Sequence, residues 1–143
     1  IGSSMFSGCK GLTSIIIPDS VISIGDEAFN DCSGLTSITI PDSVVSIGER
    51  VFYGCNGLTS VKIGNCITSI GGWMFVDCSG LTSITIPDSV TSIGICAFHG
   101  CSGLTSVNYN GTMEQWAKIS KDSNWKYGSY LKQIICTDGT IDL

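Results

Sequence analysis

Eight cysteines and a single histidine are the residues of this chain whose types could do chemistry. They would support disulfide formation, metal ligation or nucleophilic catalysis. Five of them, Cys9, Cys32, Cys55, Cys78 and Cys101, recur every 23 residues. If the chain stacks on that period, adjacent members lie ~5 Å apart, within the ~4.4–6.8 Å that a disulfide spans at Cα. Five in one row cannot all pair, and zinc sites use close pairs such as C-x-x-C. An activated thiolate needs a cation or a helix N-terminus beside it, and residues 1–109 hold only Lys10, Arg50 and Lys62. The row therefore reads as small buried residues with weak S–H donors. Cys96 and His99 stand three apart, as two ligands on one helical turn would, with no third ligand in view. A Ser-His-Asp site would have to use His99 with Ser102 or Asp77, and no G-x-S-x-G elbow occurs. The expectation is no catalytic residues, no metal and no cofactor.

Recognition residues give a stronger signal. On the same period, Glu27, Arg50, Trp73 and Cys96 form one outward column, and Asn30, Tyr53, Val76 and His99 a second. The unit over 58–80 departs from the others, with Gly64-Asn65-Cys66 in place of Pro-Asp-Ser. Trp73 is expected to be exposed there beside Arg50, Tyr53 and Val76. Trp, Tyr and Arg are the usual anchors of interfaces; the plainer alternative is Arg50 stacked on Trp73 merely to cover apolar area. A second candidate surface is a strand face bearing Ser14, Ser37, Ser60, Ser83 and Ser106 in one column. The next column holds Ile16, Thr39, Lys62, Thr85 and Asn108. That column is too mixed for a lattice match of the ice-binding kind. Its Thr39, Lys62, Thr85 and Asn108 join Arg50, Tyr53, Trp73, Val76 and His99 as candidate protein-binding residues.

The elements that must position these residues follow from the repeat. Phe6, Phe29, Phe52, Phe75 and Phe98 keep the 23-residue step, as do Leu12, Leu35, Leu58, Leu81 and Leu104, each preceded by Gly. The stretch CSGLTSITIPDSV occurs unchanged at 32–44 and 78–90. A fixed period of this size means stacked units. In one unit, Leu35 to Ile40 has the L-x-x-L-x-L spacing of leucine-rich repeats and alternates apolar with polar, so it predicts a half-buried strand. Pro41-Asp42 ends it. Val44 and Ile47 turn inward again, Gly48 permits a bend, and 49–55 fits one or two short helical turns. Such a unit cannot bury its apolar side alone.

The expected fold is an α/β repeat. It is a right-handed leucine-rich-repeat solenoid of 23-residue coils, with a parallel sheet on one face and short helical turns on the other. A C-terminal helix-hairpin cap follows. Residues 1–109 hold about 4.7 coils. Residues 110–143 are the capping segment: a capping box at Thr112 to Gln115, a helix over 113–121, an irregular stretch over 124–130 and a hairpin about Asp138-Gly139. Trp116 and Trp125 are expected to close the last coil. Ile1-Gly2 aligns with Ile24-Gly25, in the middle of a unit, so the expectation is a fragment with more coils upstream.

Composition excludes other classes. Seven Lys and Arg stand against 12 Asp and Glu, giving a net charge of −5, which argues against a nucleic-acid backbone binder. No apolar run approaches the ~18 residues of a membrane span. A hydrophobic fraction of 43% is too high for a disordered chain.

The unit IPDSV-x-SIG-x-x-AF-x-x-C-x-GLTS resembles the BspA-type leucine-rich repeat, and the tail, with Gln115-Trp116 and Cys136 to Thr140, looks like segments that follow such repeats. Members of that family are mostly surface or secreted proteins of anaerobic oral and gut bacteria, associated with adhesion to host matrix proteins such as fibronectin and fibrinogen. The resemblance implies a non-enzymatic protein-binding module of a cell-surface or secreted adhesin, located outside the cell, with protein partners. The alternative is a structural stalk that projects another domain and has no ligand of its own.

Overall fold

The computed structural model describes residues 1–143. Each coil contributes one longer and one shorter strand. In chain order these are β1 (Ser23–Ile24), β2 (Ser37–Thr39), β3 (Ser46–Ile47), β4 (Ser60–Lys62), β5 (Ser69–Ile70), β6 (Ser83–Ile86), β7 (Ser92–Ile93) and β8 (Ser106–Tyr109). The tail adds α1 (Met113–Lys118), β9 (Ser120–Lys121), β10 (Gln133–Cys136) and β11 (Gly139–Asp142). The longer strands form one sheet in the order β11-β10-β8-β6-β4-β2, and the shorter ones form β1-β3 and β5-β7-β9. All neighbours are parallel except β10 and β11. The result is a β-solenoid of about five turns whose coils repeat every 23 residues.

Register carries the sequence columns into space. Ser37 pairs with Ser60 and Ser83, and Ile38 with Val61 and Ile84, so every residue faces its own equivalent. Side-chain alternation then buries Ile38, Val61 and Ile84 while Ser37, Ser60 and Ser83 stay exposed. Phe6, Phe29, Phe52, Phe75 and Phe98 stack in parallel at 5.3–5.7 Å between ring centroids. Trp125 ends that column edge-on to Phe98, at 6.1 Å and 83°. The core contains no buried charged or polar residue.

The helical turns expected over 49–55 and its equivalents are not there. The only helix of the chain is α1, and the third side of each coil is a chain of tight turns. The cause lies in the backbone. Glu27, Arg50, Trp73 and Cys96 all have φ of 51–57°, and Asp31, Gly54, Asp77 and Gly100 have φ of 55–73°. Two left-handed residues four apart stop a helix from propagating and turn alternate N–H groups toward the next coil. Arg50, Phe52 and Gly54 accordingly donate to the carbonyls of Gly72, Met74 and Val76 at 3.2, 3.0 and 2.8 Å. Within a coil this side keeps only tight-turn bonds, such as Tyr53 N–H to Arg50 O at 3.2 Å and Asn56 N–H to Gly54 O at 2.8 Å.

The tail joins the same ladders. Thr112 caps α1 with the expected reciprocal bonds to Gln115. The helix stops at Lys118 rather than 121, because Ile119 is extended and Ser120–Lys121 leave the helix to pair with β7 as β9. Cys96 N–H donates to Asn124 O and Gly100 N–H to Gly128 O, continuing the turn ladder. β10 continues the large sheet, and β11 folds back on it through the Asp138-Gly139 turn.

Candidate binding groove on the turn face

The cysteine row is occupied by packing. Cys32, Cys55, Cys78 and Cys101 are fully buried, and each thiol donates to the carbonyl of a Phe in the preceding coil, at 3.0–3.1 Å. Burial pushes the Cys55 and Cys101 thiols up to about 12 and Cys78 well above its ordinary value. Thiols in that state are donors, not nucleophiles. Cys9 and Cys66 are exposed and Cys96 is half-buried. His99 is engaged with the tail: its ring stacks on Tyr127 at 5.7 Å and 6°, and Nδ1 lies 3.0 Å from Tyr127 O. A carbonyl only accepts, so Nδ1 carries the proton. No third metal-ligating side chain gathers with Cys96 and His99.

The left-handed turns do more than block helix. They set Arg50 and Trp73 in identical conformations on adjacent coils, so both side chains leave the surface in the same direction. The Arg50 guanidinium sits 4.7 Å from the centroid of the Trp73 ring, and its Nη1 is 3.8 Å from Glu27 Oε1. Beside this stack run two contiguous depressions. One, of about 370 Å³, is lined by Glu27, Asn30, Asp31, Arg50, Tyr53 and Trp73. The other, of about 310 Å³, is lined by Tyr53, Trp73, Val76, Cys96, His99 and Tyr127. Tyr53 and Trp73 line both, so the two form one groove along the solenoid.

This groove brings together Arg50, Tyr53, Trp73, Val76 and His99. Two details differ from the sequence reading. Val76 is not an exposed contact but a buried floor residue, 4% accessible, because its flanking turn draws the short side chain down between Tyr53 and His99. Trp73 is half-buried rather than free, since Arg50 covers it. Tyr127 was not foreseeable as a wall: it lies outside the 23-residue period, and only its aromatic character marked it. Asp31 was missed as well. Its exposed carboxylate makes no ion pair.

Thr39, Lys62, Thr85 and Asn108 lie elsewhere. They form a register column across β2, β4, β6 and β8, continued by Ile135 of β10. Thr39, Lys62 and Asn108 are exposed and Thr85 is half-buried. Only Thr39 and Lys62 share a depression, with Asp19, Pro41 and Asp42.

A solenoid with a 23-residue period, a stacked Phe column and Leu-headed strands defines a leucine-rich-repeat protein. The profile of the BspA type leucine rich repeat region matches residues 1–123 in 6 copies, and the chain belongs to that family. Among solved structures it is similar to a T. pallidum leucine rich repeat protein, at 33% identity and a TM-score of 0.73 over 76% of this chain and 50% of that one. A leucine rich cell surface protein from Faecalibacterium prausnitzii is 37% identical, with a TM-score of 0.62 over 78% of this chain and 35% of its own. A leucine-rich repeat protein from Bacteroides ovatus gives 28% identity and a TM-score of 0.78, over 96% and 35%. The chain thus spans half or less of these structures' lengths. No curated protein matches it. No helix is long and apolar enough to cross a membrane.

Proposed function

We propose that this chain is a non-enzymatic protein-binding segment of a bacterial cell-surface or secreted adhesin, and that its partner docks in the turn-face groove. The observation that carries the reading is the cluster of Arg50, Trp73 and Tyr53 against the exposed Tyr127, a set of anchor types gathered in one concavity. The surface location rests on the family and on the F. prausnitzii relative described as a cell surface protein. Host matrix proteins are the partner class that the family resemblance suggests. The sheet-face column of Thr39, Lys62, Thr85 and Asn108 is the secondary contact surface.

The test is binding to immobilised fibronectin and fibrinogen. Trp73→Ala is expected to weaken binding by about 10-fold or more, the loss typical of an interface anchor. Its far-UV spectrum and Tm should stay close to the parent's, because the side chain is half-exposed and outside the core. Binding unchanged by Trp73→Ala and Tyr53→Ala would remove the groove as the docking site. A chain that holds no matrix protein at micromolar concentration would favour the stalk, which the unbroken Phe column and continuous sheet equip to be stiff.

A further inference from the structure

The two halves of the groove differ in chemistry, and that difference points to the shape of its occupant. One end presents Glu27 and Asp31; the other is a slot between Trp73, Val76, His99 and Tyr127 with no charged side chain. Arg50 is the only cation among the lining residues, and it is already committed, to Glu27 at 3.8 Å and to the Trp73 ring at 4.7 Å. Asp31 remains exposed and unpaired, and the repeat region as a whole carries the chain's negative charge. An anionic partner would meet two carboxylates and one cation that already faces one of them. A cation would meet Asp31, with aromatic walls to take its apolar stem.

The spacing can be read from the coil step. The acidic end lies between the coils of Glu27 and Arg50, and the aromatic end between those of Trp73 and His99. That is two coil steps, about 11 Å at the 5.6 Å separation of the stacked rings. An extended polyproline-type segment rises ~3.1 Å per residue with three residues per turn, so side chains i and i+3 point the same way ~9 Å apart. Side chains two apart in a β-strand reach only ~7 Å.

We infer that the groove takes an extended segment of a partner protein bearing a Lys or Arg three residues from an apolar side chain, the cation at Asp31 and the apolar group over Trp73 and Val76, two coil steps along. This deepens the docking reading above and rests on it. The cation is drawn by Asp31 and screened by salt. The apolar group replaces water against the half-exposed Trp73 ring, and Tyr127, 65% exposed in the free protein, walls the far end of the slot.

The test uses the whole 143-residue chain, labelled with nitrogen-15, and short synthetic peptides. The probe is acetyl-Gly-Lys-Pro-Pro-Leu-Gly-amide. Its controls are the same peptide with Glu for Lys, the peptide with Lys and Leu adjacent, and cellohexaose for the carbohydrate that an aromatic platform could also hold. The Lys peptide is expected to shift the Trp73 indole and His99 resonances, and to bind at least about five-fold more tightly than the Glu and adjacent-residue peptides. Asp31→Asn should abolish most of the preference over Glu while leaving the spectrum of the free protein intact, and Tyr127→Ala should weaken every peptide alike. Equal binding of Lys and Glu peptides overturns the charge assignment while leaving the docking reading in place. Binding of cellohexaose with no peptide response overturns both. If no probe perturbs the groove while Trp73→Ala still abolishes matrix-protein binding, this occupant is wrong and the docking reading survives.

Discussion

Raising the pH from 9 to 12 is expected to unfold this protein well before its backbone chemistry is at risk, with a midpoint near pH 11. The cause is the buried thiol row. In the unfolded chain a cysteine titrates near its ordinary value of 9.0, whereas Cys55 and Cys101 in the folded chain hold their protons to about 12 and burial holds Cys78 well above its ordinary value. Burial is the largest cause in each case, since a thiolate there would lose hydration and face the same carbonyl that now accepts its proton. The sign is fixed by linkage. Between pH 9 and 12 the folded state keeps protons that the unfolded state has released, so stability falls as pH rises. Each such thiol contributes a slope of about 1.4 kcal/mol per pH unit, and three together about 4. Against an ordinary total of ~5–15 kcal/mol, two units of pH suffice. Lys121 acts in the opposite direction, its ammonium losing its proton more readily when folded, but it is one group against these three thiols and against Cys32, Cys136 and Tyr109, which burial also raises. Urea midpoints measured from pH 8 to 11 check this, and Cys55→Ser with Cys101→Ser should flatten the decline markedly. A stability curve level between pH 9 and 10.5 would contradict the protonated, buried row.

That row was legible in the sequence for Cys32, Cys55, Cys78 and Cys101, whereas Cys9, expected to be buried with them, is exposed on the first coil of the sequence; the reason is physical. Stacking converts a period into a column, so the burial of one Cys or Phe sets that of its copies at 32, 55, 78 and 101, or 29, 52, 75 and 98. The turn face was less legible. Residues 49–55 are long enough for helix, and Val51, Phe52 and Cys55 have inward spacing compatible with one. A signal against it was present: Gly8, Asp31, Gly54, Asp77 and Gly100 share one column, and Gly and Asp are residues that tolerate left-handed φ. The other left-handed column, Glu27, Arg50, Trp73 and Cys96, carries no such signal, because those side chains are held there by the inter-coil ladder and not by preference. The groove followed the same division. Its periodic members Arg50, Tyr53, Trp73 and His99 could be grouped from spacing alone, whereas Tyr127 comes from an aperiodic tail whose path only the completed ladder defines.

A single added methyl group should have opposite effects at two equivalent positions of the repeat. Gly11, Gly34, Gly57, Gly80 and Gly103 precede the five leucines. At Gly57 a Cβ would press into the backbone oxygen of Ser33 on the preceding coil; at Gly80 it would come within 2.6 Å of Asn56 O. Neither position has left-handed φ, so the obstacle is contact and not conformation. A backbone oxygen cannot swing aside as a side chain can. Relief requires the coils to part at Leu35 and Leu58, two fully buried residues, and to stretch bonds such as Thr59 N–H to Thr36 O at 2.8 Å. Overpacking of this kind, with nothing flexible to yield, costs about 2–4 kcal/mol. Gly57→Ala is therefore expected to lower Tm by about 6–12 °C. In the 143-residue chain Gly11 stands in the first coil of the sequence, and no atom lies within 4 Å of a Cβ there. Alanine there removes only unfolded-state freedom, so Gly11→Ala should be neutral or stabilise by up to about 1 kcal/mol. Calorimetry on the pair separates the explanations. If both variants lose stability equally, the column is glycine for backbone freedom. If only Gly57→Ala does, it is glycine because adjacent coils meet there backbone to backbone, with no room for a side chain between them.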